Sequence, residues 1–151
     1  MSEALVHRQV TQYLKLQYPK VLFRTDFAAG SKMTIGQAVR HRELQAGRAW
    51  PDLFIAEPVG QFHGLFLELK REGVSLPKAG HIYRSKSMIH MQEQQSIIDF
   101  LQSRGYVASF AIGFNEAKKI IDQYLKGNWL VPKSPSLPRS FGPVKGVGSA
   151  F

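Results

Sequence analysis

Residues 50–70 read "WPDLFIAEPVGQFHGLFLELK", and the reading of this stretch decides the fold. Two apolar runs, 52–56 and 65–70, flank the Pro- and Gly-containing "EPVGQFHG", the pattern of neighbouring strands joined by a turn. Side chains alternate across a strand, so Leu65, Leu67 and Leu69 share one face while Phe66, Glu68 and Lys70 share the other. Glu68 and Lys70 then project together, about 7 Å apart by the rise per residue. Asp52, at the head of the first run, faces the same side if the two strands pair.

On the N-terminal side, residues 3–17 read as a helix with Ser2 as N-cap and an apolar stripe of Val6, Val10, Tyr13 and Leu14. Glu3 and His7 fall on that stripe, because positions 3, 7, 10 and 14 share a face. "VLFRTDF" reads as a strand ended by "AAGS", and Thr34 as the N-cap of a basic helix running to about Ala46, with Gly47 at its stop. On the C-terminal side, residues 71–90 have no clean period and read as a long basic loop, a length that goes with function or mobility in compact domains. A helix follows over 91–104, ended by Gly105, then the strand "YVASFAI", then an amphipathic helix capped by Asn115 and running through Leu125. This order predicts an α/β domain with a mixed central sheet flanked by helices, spanning residues 1–126. Residues 127–151, basic and rich in Pro, Gly and Ser, read as a flexible tail.

A chain of 151 residues with 44% hydrophobic content forms one domain with a real core. It has no cysteine, which excludes a disulfide framework and a thiolate metal site. "MSEALVHRQV" lacks a signal core, and no apolar run approaches the roughly 20 residues of a membrane span. The expectation is a soluble cytoplasmic protein without a membrane partner. A net charge of +9 and a pI near 10.0 point to a polyanionic partner, usually nucleic acid, over a basic surface that only aids solubility. Over 31–48 the chain carries Lys32, Arg40, Arg42 and Arg48 against Glu43 alone, and over 70–86 Lys70, Arg71, Lys78, Arg84 and Lys86 against Glu72 alone. The carboxylates of the two strands thus lie between basic segments.

Two carboxylates converging from adjacent strands are hard anionic ligands suited to Mg²⁺ or Mn²⁺, which keep waters for a substrate phosphate. A lysine beside them can hold the attacking water and offset developing charge, so the set fits phosphodiester hydrolysis. The plainer alternative makes Asp52 a turn residue and Glu68 and Lys70 an exposed strand-end pair worth little. In "MQEQQSIIDFL", however, Gln94 shares a face with Met91, Ile97, Ile98 and Leu101, and a buried amide needs partners. Glu3 on the first stripe poses the same question, although a first-turn glutamate is also favoured by the helix dipole. The five histidines show no metal-ligand spacing, and "AAGSK" is too poor in glycine for a phosphate loop. Asp26 reads as a strand-end acid paired with a nearby arginine.

The series Pro51-Asp52, Glu68-Leu69-Lys70 and Glu93-Gln94 resembles the PD-(D/E)XK nuclease superfamily, and more narrowly its VRR-NUC branch, over roughly residues 3–125. The resemblance implies a restriction-endonuclease-like core. In it, Asp52, Glu68 and the Leu69 carbonyl would hold Mg²⁺ or Mn²⁺, with Glu3 a further candidate. Lys70 would position the nucleophilic water and Gln94 would support the site. It also implies metal-dependent DNA cleavage leaving 5′-phosphate and 3′-hydroxyl ends, in a homodimer of phage or bacterial type acting on branched DNA such as four-way junctions. Two features depart from the family: Ala49 and Trp50 stand where a glycine usually precedes Pro-Asp, and the segment after Lys70 is long. Lys78, His81, Arg84, Lys86 and His90 of that segment are expected to contact DNA, together with Lys32, Arg40, Arg42 and Arg48. The rival expectation is a non-catalytic or partner-dependent DNA-binding subunit of a phage or repair assembly.

Overall fold

The two apolar runs are antiparallel neighbours in the computed structural model, which describes residues 1–26 and 32–129. The strands are β1 (Phe23–Thr25), β2 (Leu53–Ile55), β3 (Leu65–Lys70) and β4 (Val107–Ile112). The helices are α1 (Glu3–Gln17), α2 (Ile35–Glu43), α3 (Lys86–Ser103) and α4 (Gly113–Leu125). Among the described residues the sheet has the order β1-β2-β3-β4, antiparallel except for the β3–β4 pair. A parallel pair needs a crossover, and α3 supplies it. The mixed sheet flanked by helices is the architecture the sequence predicts.

The alternation in β3 divides the core. Leu65, Leu67 and Leu69 pack with Val6, Val10 and Leu14 of α1 and with Ile120, Ile121 and Tyr124 of α4. Phe66 packs on the other face with Ile98 and Leu101 of α3, Phe110 of β4, and the half-buried Phe54 and Tyr106. The Phe54 and Phe66 rings stack with centroids 4.4 Å apart. With both faces covered, β3 is buried along its whole length, Glu68 and Lys70 included. No described helix is long and apolar enough to cross a membrane.

Asp122 of α4 ties that helix to α1. Its Oδ1 accepts the hydroxyls of Tyr13 and Tyr18, each at 2.6 Å, and Lys118 Nζ lies 3.2 Å from Oδ2. Burial alone would raise the Asp122 carboxyl, but the two tyrosine bonds and Lys118 more than offset it and hold its pKa below the usual aspartate value. A depressed folded-state pKa adds stability above the unfolded value and loses it as pH falls through the folded one. Asp122→Ala is therefore expected to cost about 1–2 kcal/mol near neutral pH. Urea unfolding should show this gap closing as the medium is acidified below the aspartate range.

Several expected boundaries shift. The second helix ends at Glu43 rather than near Ala46: the Leu44 N–H closes on Arg40 O, and turns through Gly47 (φ 96°) follow. No residue of α2 is buried, so no packing extends it. The third helix begins at Lys86, not Met91, because Ser85 caps it by accepting the Met88 N–H. Its first turn is largely exposed and carries no apolar period. Lys86 and His90 are therefore helical, and the loop shortens to 71–85. Asn115 does not cap the last helix, which starts at Gly113, and the Ile112 N–H is taken by the Glu116 carboxylate at 2.7 Å. The expected "AAGS" strand end lies outside the described residues, as does the proposed tail from residue 130 onward, while Trp129 packs against the core.

Candidate active site

The β2–β3 register fixes what faces Glu68. Leu53 pairs with Leu67, so the register continued by one residue sets Asp52 opposite Glu68. Asp52 Oδ2 accepts the Leu69 N–H at 2.9 Å, while the Asp52 backbone carbonyl accepts the Asp26 N–H at 2.7 Å. Asp52 is thus built into the sheet end, not a free turn residue. Lys70 Nζ lies 2.8 Å from Glu68 Oε1, and Gln94 Nε2 donates to the same oxygen at 2.5 Å. Gln94 reaches it from the buried stripe of α3, beside Ile98 and Leu101. Four residues singled out from sequence, Asp52, Glu68, Lys70 and Gln94, therefore converge, all of them buried.

Glu68 is only 2% exposed, which rules out a solvated surface pair. Its Oε1 takes both donors, whereas its Oε2, like Gln94 Oε1, is buried without a hydrogen-bond donor among the described residues, and the neighbouring Asp52 carboxylate can bond Glu68 only through a shared proton. Desolvation first, and the Asp52 charge second, push the Glu68 carboxyl from 4.5 up to about 8, against the opposing pull of Lys70. The local field thus disfavours a second negative charge unless a further cation compensates it.

The first helix contributes at the rim. His7 Nε2 lies 3.5 Å from Asp52 Oδ2, and Glu3 Oε1 lies 3.9 Å from Lys70 Nζ. Glu3 departs from its expected burial: its side chain is 47% exposed, because the first turn of α1 is exposed ahead of the buried Val6. The histidines show no ligand spacing, so the signal in the sequence for this position of His7 is its place on the α1 stripe with Glu3. Asp26 lies 3.5 Å from His41 Nε2. Among the described residues, no three His, Cys, Asp or Glu side chains gather into a cation cage. The donor set at the sheet end is two carboxylates beside a lysine.

Lys32, Arg40, Arg42, Arg48, Lys78, Arg84 and Lys86 are all exposed. The 71–85 loop is tied to α3 by Gln92 Nε2, which donates to His81 O at 2.8 Å, and is closed on itself where Tyr83 Oη accepts the Lys78 N–H at 2.9 Å. A separate cleft of about 430 Å³ along α4, lined in part by Lys118, Lys119 and Lys126, contains none of the converging residues.

The mixed sheet with helices on both faces is consistent with a PD-(D/E)XK-like core. Among solved structures the chain is similar to a VRR_NUC domain protein, with a TM-score of 0.58 and 25% identity, over 83% of this chain and 89% of that one. This likeness supports assignment to the VRR-NUC family and hence a nuclease-family domain. No protein-family model and no curated protein matches the chain.

Proposed function

We propose that this protein is a divalent-metal-dependent DNA endonuclease that hydrolyses phosphodiester bonds at the Asp52–Glu68–Lys70 site. The observation that carries the reading is the buried Glu68 Oε2, which has no donor among the described residues, across the strand pair from Asp52, with Lys70 Nζ 2.8 Å from the other oxygen. A carboxylate oxygen without a donor beside a second carboxylate is costly unless a proton or a cation takes it, and a divalent cation can compensate both carboxylates at once. Hard oxygen donors fit Mg²⁺ or Mn²⁺, held by Asp52, Glu68 and the Leu69 carbonyl with Glu3 at the rim. Such an ion supplies Lewis-acid stabilisation of phosphate charge.

The chain's own residues do the rest. Lys70 holds the attacking water and lends positive charge where the phosphorane charge develops. Gln94 keeps Glu68 Oε1 engaged and so fixes the rotamer of Glu68. The Leu69 N–H orients Asp52 through Oδ2, with His7 beside the same oxygen. The exposed cations of α2, of the turns behind it and of the 71–86 segment bind the DNA backbone. Branched DNA, four-way junctions included, and a homodimer are the substrate and assembly that the family resemblance favours.

The test is cleavage of single-stranded, duplex, flap and four-way-junction DNA by purified protein with Mg²⁺, Mn²⁺ or EDTA. Cutting with either metal and none in EDTA is expected, and Glu68→Ala should abolish it. Binding without cutting under every metal sinks the enzyme reading in favour of a DNA-binding subunit. Replacing both Arg84 and Lys86 with alanine should weaken binding, lower the steepness of its salt dependence by about two phosphate contacts, and shift the substrate profile. An unchanged profile and salt slope would remove the loop from the DNA interface.

A further inference from the structure

Trp50 stands beside this site in an unusual setting. Tryptophan is among the side chains with most apolar area to bury, yet Trp50 remains 38% exposed. Its orientation is nonetheless fixed. The indole N–H donates to Ala46 O at 3.0 Å, and the ring rests against Phe66 with centroids 6.1 Å apart. Since the only polar atom of the side chain is already bonded, what it shows to solvent is aromatic surface. Phe66 lies two residues before Glu68 on the same face of β3, and Trp50 lies two residues before Asp52 in the chain, so the indole flanks the end of the sheet that carries the carboxylates.

The backbone supports that placement at a cost. Ala49 has φ 62°, the sole described non-glycine residue in the left-handed region, a conformation that costs an L-residue roughly 1–2 kcal/mol. A glycine would relieve it. Pro51 restricts Trp50 from the other side. Between Glu43 and Asp52 the chain carries no acid, and Arg48 stands exposed just before the strained residue. Aromatic surface next to an exposed guanidinium suits a nucleobase followed by its phosphate better than an apolar peptide.

We infer that Trp50 is a base-stacking platform, and that the protein engages DNA carrying an unpaired base next to the phosphate it cuts. The inference rests on the nuclease reading and adds a substrate class to it. A base inside a continuous duplex has both faces covered by its neighbours, whereas an unpaired base can offer one to the indole. Discrimination between the two follows from stacking, without base-edge hydrogen bonds.

The experiment compares a labelled duplex containing one bulged nucleotide with the continuous duplex, using full-length protein with Ca²⁺ replacing Mg²⁺ to limit cutting. Wild type should bind the bulged DNA more tightly. Trp50→Ala should lose about tenfold of that preference while its affinity for continuous duplex stays within about twofold. Trp50→Phe should retain most of it. Tryptophan emission gives a second readout, since the chain has two tryptophans, Trp50 and Trp129. Bulged DNA should quench wild-type emission, and the quench should vanish in Trp50→Phe although binding persists. No preference in wild type, equal losses on both DNAs in Trp50→Ala, or a quench surviving in Trp50→Phe each overturns the platform. If wild type still cuts DNA in Mg²⁺, only the platform falls. If wild type neither binds nor cuts any DNA, the nuclease reading falls and the platform with it. Should Trp50→Ala fail to fold, the quenching comparison decides alone.

Discussion

Lys70→Met will lower metal-dependent DNA cleavage by about 100- to 1,000-fold in single-turnover assays while leaving the protein folded. Lys70 is buried, with its ammonium against Glu68 and its stem in the sheet. Methionine keeps most of that unbranched volume and removes only the charge and its donors. Alanine would also open a cavity and confuse loss of chemistry with loss of fold. The proposed role gives Lys70 a transition-state contribution, so DNA affinity measured with Ca²⁺ should change far less than the cleavage rate. Lys70→Arg should not restore activity, because the planar guanidinium cannot occupy the place of a compact ammonium. Cleavage by Lys70→Met within about threefold of wild type would remove Lys70 from the mechanism.

Of the four converging residues, Asp52 was legible from its place at the head of the paired run, and Glu68, Lys70 and Gln94 because each breaks a strong local rule. Glu68 and Lys70 interrupt the apolar alternation of a strand otherwise made of Leu and Phe, and Gln94 interrupts the apolar stripe of a helix. A period that strict sets the side on which a side chain projects, even before the strands are paired. The misplaced features are those that no period governs. The Lys86–His90 turn of α3 is largely exposed, so its start was marked only by Ser85, one hydroxyl among many. Glu3 has the right phase on α1 but lies in a first turn with no buried residue, and phase does not reveal where a helix leaves its support. The contact between His7 and Asp52 depends on how α1 crosses the sheet, which is a tertiary fact. The left-handed Ala49 was equally hidden, because alanine carries no mark of the conformation.

Glu68→Gln should make the metal-free protein more stable at neutral pH and remove its stabilisation by metal. The folded-state pKa of Glu68 is raised from 4.5 to about 8, by desolvation and then by Asp52, so between those values the folded chain holds a proton that the unfolded chain has released. The stability tied to that proton is fully present below pH 4.5 and is lost as pH rises through about 8. At about 1.4 kcal/mol per pH unit, the loss reaches roughly 3 kcal/mol by pH 7. Removing one partner of a buried ion pair normally destabilises, and Lys70 loses its carboxylate here. Two facts decide against that outcome. The carboxyl titrates near 8 despite Lys70, so desolvation and Asp52 already outweigh the pair. A glutamine carbonyl can also accept from Lys70 and Gln94, as Glu68 Oε1 does, while its amide offers a donor in place of Oε2, which has no donor among the described residues. Urea unfolding in EDTA should therefore show wild type falling by roughly 3–4 kcal/mol relative to Glu68→Gln from about pH 5 to pH 8, the variant ending the more stable. Millimolar Mg²⁺ or Mn²⁺ should stabilise wild type and hardly move the variant, since a ligand that binds only the folded state stabilises it by mass action. Equal metal stabilisation of both proteins would place the cation away from Glu68. A flat difference between them across this pH range would mean that the buried carboxylate is already compensated without metal.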